Sequence, residues 1–195
     1  MRMPRVSNSR AVLALLALAG LAAACAARAQ ARPAESSFSP HVGASGEIAR
    51  PVDYRTRWVH LGSWAVPDES GAGHGFHDVY AQPEAVAAYK AKQAWPDGAV
   101  LIKEIRPIHA QTLSTGALYR AGGEPAVVFV MVKDAQGRFP GNASWGNGWG
   151  WAMFNQESPT TSVSKDHSKD CLGCHEPARA NDWIYVEGYP TLGTR

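Results

Sequence analysis

The sequence predicts an α+β fold made largely of short strands. Five runs of seven to ten residues either alternate apolar with polar side chains or stay apolar throughout: Trp58–Val66, His74–Tyr80, Ala99–Arg106, Ala126–Lys133 and Trp145–Phe154. The clearest helix is confined to Pro83–Ala94. Clusters such as Pro67-Asp68-Glu69-Ser70-Gly71 and Trp95-Pro96-Asp97-Gly98 separate the runs as turns.

At the N-terminus, Arg2, Arg5 and Arg10 precede the apolar stretch Ala11–Ala24, too short to span a bilayer comfortably, and Ala27-Arg28-Ala29 offers a small-x-small cleavage site. Residues 1–29 are therefore expected to be a signal peptide and the protein periplasmic. A lipoprotein anchored at Cys25 is the alternative; Ala22 is small for the lipobox position it would occupy. Residues 30–52, with Pro33, Ser36, Ser37, Ser39, Pro40, Gly43 and Gly46, read as a flexible linker, so the globular domain is expected at 53–195. One domain of that length can bury a sizeable core. Removing the four arginines of the leader turns the formal charge of +2 into −2, and nothing suggests a nucleic-acid surface.

In the second strand His74, Phe76, Asp78 and Tyr80 share one face and Gly75, His77 and Val79 the other. The helix opens on Pro83 with Glu84 in its first turn, and Ala87, Ala88, Ala91 and Ala94 form its apolar stripe, with Val86 off it. In the third strand Leu101, Lys103 and Ile105 share a face, which puts a lysine in an apolar row. On pattern alone this is an edge lysine that snorkels to water; the other reading aims it at a cofactor. Ala126–Lys133 is apolar enough for a central strand. Trp145–Phe154 reads as one strand with a tryptophan face, for core or a partner, and a glycine face that admits a flat group or another backbone. Ser158–Lys169 is a polar loop and Asp182–Val186 a short closing strand or turn.

The chemistry concentrates in Cys171-Leu172-Gly173-Cys174-His175. Two cysteines two residues apart followed by histidine form the attachment signature of c-type haem: the thiols reach the two vinyl groups and the histidine offers an imidazole to the iron. Zinc would need two more soft ligands, and the only other cysteine is Cys25. A thioredoxin-like pair should open a helix after a strand, which Pro177 and the polar run Ser164–Asp170 do not suggest.

With Pro96–Glu104, Met131-Val132-Lys133-Asp134, Asp182-Trp183-Ile184-Tyr185 and Tyr189-Pro190, this motif makes the chain from about Asp53 to Leu192 resemble the cytochrome P-460 family. The resemblance implies a mainly antiparallel β-sheet with a few helices and one covalently attached c-type haem, commonly in a homodimer. It implies an open iron site for small nitrogen species: known members oxidise hydroxylamine, and the related cytochromes c′-beta bind nitric oxide. Cys171 and Cys174 match the thioether cysteines, His175 the axial ligand, and Lys103 the lysine joined to the porphyrin edge. Two positions depart. The distal glutamate of hydroxylamine-oxidising members falls on Phe129, which cannot accept a proton, and a distal arginine falls on His77, a candidate proton relay or a hydrogen-bonded pocket histidine. The expectation is an exported monohaem cytochrome, with a periplasmic redox partner, that oxidises hydroxylamine, only binds nitric oxide, or carries electrons with a sixth ligand from Met131, Met153, His60, His74 or His109.

Overall fold

The computed structural model describes residues 38–193. The expected signal peptide at residues 1–29, with Cys25, lies outside the described residues, as do residues 30–37 of the expected linker. Among the described residues eight strands and four short helices follow in order: α1 (Tyr54–Arg57), β1 (Val59–Val66), β2 (Gly75–Ala81), α2 (Pro83–Lys92), β3 (Val100–Arg106), β4 (Ile108–Leu113), β5 (Gly116–Ala121), β6 (Val127–Lys133), β7 (Trp145–Gly146), β8 (Trp149–Asn155), α3 (His167–Asp170) and α4 (Leu172–His175), with three 3₁₀ turns after them. Six strands form one sheet in the order β1-β2-β3-β6-β8-β7, while β4 and β5 form a separate hairpin between β3 and β6. Every pairing is antiparallel, so the mainly antiparallel α+β fold is what the chain adopts.

Strand alternation gives this sheet two buried faces. On one, Val79, Leu101, Met131, Trp149 and Trp151 pack with α2, Cys171 and the C-terminal turns around Trp183, Ile184 and Tyr189. On the other, Val100, Ile102, Val128, Val130, Val132 and Phe154 pack with Ile48, Tyr54 and Trp145. Glu104, with no solvent exposure, lies among the second set. It accepts from Tyr54 Oη at 2.5 Å and Arg55 Nε at 2.9 Å, and Arg55 Nη2 pairs with it at 2.9 Å. A one-residue slip of β3 would exchange Glu104 with Lys103, so this bonding fixes the register.

Several readings need correction. The polar segment read as linker is packed from Phe38 onward: Val42 bridges Ile48, Ile48 is buried, and Phe38 lies 6.1 Å from the Trp145 ring. In α2 the buried residues are Ala85, Val86 and Tyr89, while Ala87 and Ala91 are exposed. Val and Tyr remove more apolar area from water than a stripe of alanines does. Lys103 is not on an edge, because β3 lies between β2 and β6. Trp145–Phe154 is a hairpin, turned by Asn147 and Gly148 at φ 59° and 80°. Its glycine face does admit flat groups, both from the chain itself. A Cβ on Gly150 would sit 2.6 Å from the Trp145 ring, and one on Gly146 would collide with the His167 ring. Of the strand or turn expected at Asp182–Val186, the chain takes the turn.

Candidate functional site

Cross-strand pairing lines up one residue from each of the four strands β2, β3, β6 and β8. Val79 pairs with Lys103, Lys103 with Phe129, and Phe129 with Met153. The neighbouring rows bring His77 opposite Ile105, and Leu101 opposite Met131. This face forms one wall of a cavity of about 390 Å³, and Cys174, His175, Ile184, Tyr185, Glu187 and Tyr189 from the C-terminal segment form the other. The structure thus brings together His77, Lys103, Phe129, Cys174 and His175. Cys171 lies just behind, buried in the core, its Sγ 3.9 Å from Ser164 Oγ, and both thiols are free.

The motif is held by its flanks. Asp166 caps α3 by accepting from the backbone N–H of Ser168 at 3.0 Å. His167 bonds through Nδ1 to Ala143 O at 2.8 Å and through Nε2 to Asn147 Oδ1 at 3.1 Å, which ties α3 to the β7–β8 turn. Trp151 meets the His175 ring edge-on at 5.0 Å. Tyr185 Oη donates to Cys174 O at 2.5 Å. His175 Nδ1 donates to Trp183 O at 2.7 Å. A carbonyl can only accept, so the proton is on Nδ1 and the lone pair on Nε2, the tautomer a metal-ligating imidazole needs.

Burial governs the electrostatics. The Lys103 ammonium contacts the Phe129 ring face, 4.8 Å from its centroid, and among the described residues no oxygen accepts from it. Burial holds its pKa below the ordinary value, against a smaller upward pull from Cys174 and Cys171. Burial likewise lowers the His77 pKa; the bond to Gly73 O opposes this and the Lys103 charge adds to it. His77 Nε2 donates to Gly73 O at 2.7 Å, leaving Nδ1 buried with no partner, and the ring stacks on Trp64 at 5.2 Å. The Cys171 thiol is pushed up, chiefly by burial.

This donor set suits a haem: an oriented imidazole, two free thiols two residues apart, and a largely apolar wall. Among the described residues no group of three or more His, Cys, Asp or Glu is gathered to hold a bare metal ion. Of the other proposed sixth ligands, Met131 lines the cavity, whereas His60 is engaged by Asp78 Oδ1 at 3.1 Å and Ser63 Oγ at 2.9 Å. Sequence reasoning missed Trp64 and Glu187 as lining residues. Trp64 was legible in principle, being directly opposite His77 in the β1–β2 pairing; Glu187 comes from an irregular turn with no periodic signal.

No curated protein matches the chain. A family model described as Cytochrome P460 matches residues 51–186, which includes β1 to β8, the paired cysteines and His175. The cavity with its haem-type donor set and this match agree: the chain belongs to the cytochrome P460 family of haem proteins.

Proposed function

We propose that this chain is an exported c-type cytochrome, with one haem attached through Cys171 and Cys174 and ligated by His175, that binds small nitrogen species such as nitric oxide or hydroxylamine. The observation that carries the reading is the shared cavity, which His175 enters from one wall and His77, Lys103 and Phe129 from the other. When bound, the haem supplies an iron that takes a small ligand and exchanges an electron with a partner. The chain's own residues set the rest. Phe129, Val79 and Met131 keep that wall dry. His77, its Nε2–H committed to Gly73 O, has no proton to give while neutral; its Nδ1 lone pair is buried and unpartnered, and takes a proton only from a ligand that comes within hydrogen-bond reach of it. On the wall facing His175 the one proton acceptor is this buried nitrogen, the Glu187 carboxylate lying on the His175 wall itself, and that arrangement favours ligand binding with slow turnover over brisk hydroxylamine oxidation.

Lys103 belongs to the same reading, as the amine that bonds the porphyrin edge. Such a bond would replace one N–H of Lys103 and one C–H of the porphyrin by N–C, with the two electrons and two protons passing to dioxygen to give hydrogen peroxide, and would leave the holoprotein two hydrogens lighter. A part-buried lysine that lines the cavity with, among the described residues, no oxygen acceptor is the supporting observation. A periplasmic redox partner and a homodimer complete the proposal. The competing reading, an electron carrier with Met131 as sixth ligand, is favoured by the place of Met131 in the cavity wall.

Absorption spectroscopy and intact mass of purified holoprotein test these together. Haem that resists acid–acetone extraction, high- or mixed-spin ferric iron, and ready binding of nitric oxide or carbon monoxide by the ferrous form are expected. Extractable haem would refute attachment. A low-spin spectrum indifferent to ligands would establish the electron carrier instead.

A further inference from the structure

Two segments that carry the family resemblance, Met131–Asp134 and Asp182–Tyr185, meet in space, and their contact has no part in the functions above. Lys133 Nζ, on a largely buried side chain, lies 2.8 Å from both carboxylate oxygens of Asp182 and 4.9 Å over the Trp149 ring. Trp149 Nε1 donates to Asp182 O at 3.0 Å. Thus β6 and β8 each send one side chain to the same residue of the turn.

That turn is strained. Asp182 and Trp183 are consecutive non-glycine residues in the left-handed region, at φ 58° and 68°. Single residues visit it; two side-chain-bearing residues in succession persist only where the surroundings hold them. What the strained turn delivers is the carbonyl of Trp183, 2.7 Å from His175 Nδ1.

We propose that Lys133, Trp149 and Asp182 are positioning residues that hold the Trp183 carbonyl against His175 and so set the basicity of its Nε2 toward a haem iron. The inference rests on the haem reading above. An imidazole whose N–H is held on a carbonyl is the more basic ligand, and a more basic ligand favours ferric iron. Releasing the turn lengthens or misaligns that bond, weakens the donor and raises the reduction potential.

The test uses purified holoprotein of the native chain and of Lys133→Met, Asp182→Ala and Asp182→Asn, each checked for folding by far-UV circular dichroism. Potentiometry and the ferrous iron–histidine stretch in resonance Raman are the readouts. Lys133→Met and Asp182→Ala are expected to shift the potential positive and the stretch to lower frequency. Asp182→Asn keeps an acceptor for Lys133 and tolerates the left-handed backbone, so it should stay near native. If Asp182→Ala does not fold, Lys133→Met decides alone, since methionine suits a buried strand position. Unchanged potential and stretch in Lys133→Met overturn the inference, as does an Asp182→Asn shift equal to that of alanine. Native holoprotein with His175-ligated haem and unresponsive variants removes this inference only, whereas native protein without His175-ligated haem removes the haem reading with it.

Discussion

Replacing Glu104 by glutamine removes a charge from a position with no solvent exposure, on the sheet face opposite the cavity. The carboxylate accepts from Tyr54 Oη at 2.5 Å and Arg55 Nε at 2.9 Å, with Arg55 Nη2 paired at 2.9 Å. Removing one partner of a buried ion pair costs about 3–5 kcal/mol. Here the Arg55 side chain is 33% exposed and can recover water, and the new amide still accepts from Tyr54. The lower end, about 3 kcal/mol, is therefore expected. For a chain of this size that corresponds to a fall in Tm of about 6–12 °C. Tyr54→Phe leaves the carboxylate one donor short and should cost about 1.5–3 kcal/mol. The native Tyr54 phenol is held above its ordinary value of 10.0, first by burial and then by its bond to Glu104. Its contribution to stability is fully present below pH 10.0 and is lost as pH rises toward the higher native value; Tyr54→Phe should lack that part of the alkaline loss, with Tyr80, Tyr89, Tyr185 and Tyr189, also raised by burial, keeping the rest. Urea and thermal unfolding at neutral and alkaline pH measure both effects. The exposed Glu124→Gln, whose carboxylate lies 3.8 Å from Arg55, is the control. A Glu104→Gln cost no larger than that of Glu124→Gln would refute the account of how β3 keeps its register.

Gly150→Ala places a methyl group 2.6 Å from the Trp145 ring and should cost about 1–3 kcal/mol in urea unfolding; an unchanged midpoint would mean the indole is not held on the strand. Phe129→Glu, opposite Lys103 in the β3–β6 pairing, places a carboxylate on the cavity wall and, in holoprotein, should raise hydroxylamine turnover above a slow native rate. Brisk native turnover that His77→Ala abolishes would instead make His77 the working base. Because the native His77 pKa lies below 6.5, the unfolded chain takes up the proton first. Stability falls as pH drops from 6.5 through the lower native value, and His77→Phe should flatten that slope in equilibrium unfolding, with His41, also lowered by burial, keeping part of it. Asp166, held at about 2 by bonds from Ser168 and Lys169, stabilises the turn into the cysteine motif above pH 3.8 and loses that effect as pH falls toward 2. Asp166→Ala should lack this acid transition when unfolding is followed by tryptophan fluorescence.

The central strands were legible because each buries both faces or alternates cleanly, and the haem motif because its chemistry is confined to five residues. Lys103 was visible as a lysine in an apolar row, but periodicity cannot distinguish an edge from an interior strand; only the long-range pairing with Phe129 does. The β4–β5 hairpin went unseen because its residues are mostly exposed on both faces, so no core pattern marks it. The Asn147-Gly148 turn was legible in its own residues, yet the alternation running through it suggested one strand. The helix face was misread because spacing counted alanines, whereas packing follows area and selected Val86 and Tyr89. Residues 38–52 anchor through isolated contacts such as Phe38 and Ile48, which leave no period to detect.

The row Val79–Lys103–Phe129–Met153 draws each member from a different strand, and the chain neighbours of each point to the opposite face. Site chemistry and structural support are therefore interleaved along the chain yet separated in space. A change at Phe129 alters the cavity while Val128 and Val130 continue to fill the other core. The site can thus diversify one position at a time, with the cost of each trial confined to the wall it remodels. A single sheet of this kind can change what its cavity wall presents without redesign of its scaffold.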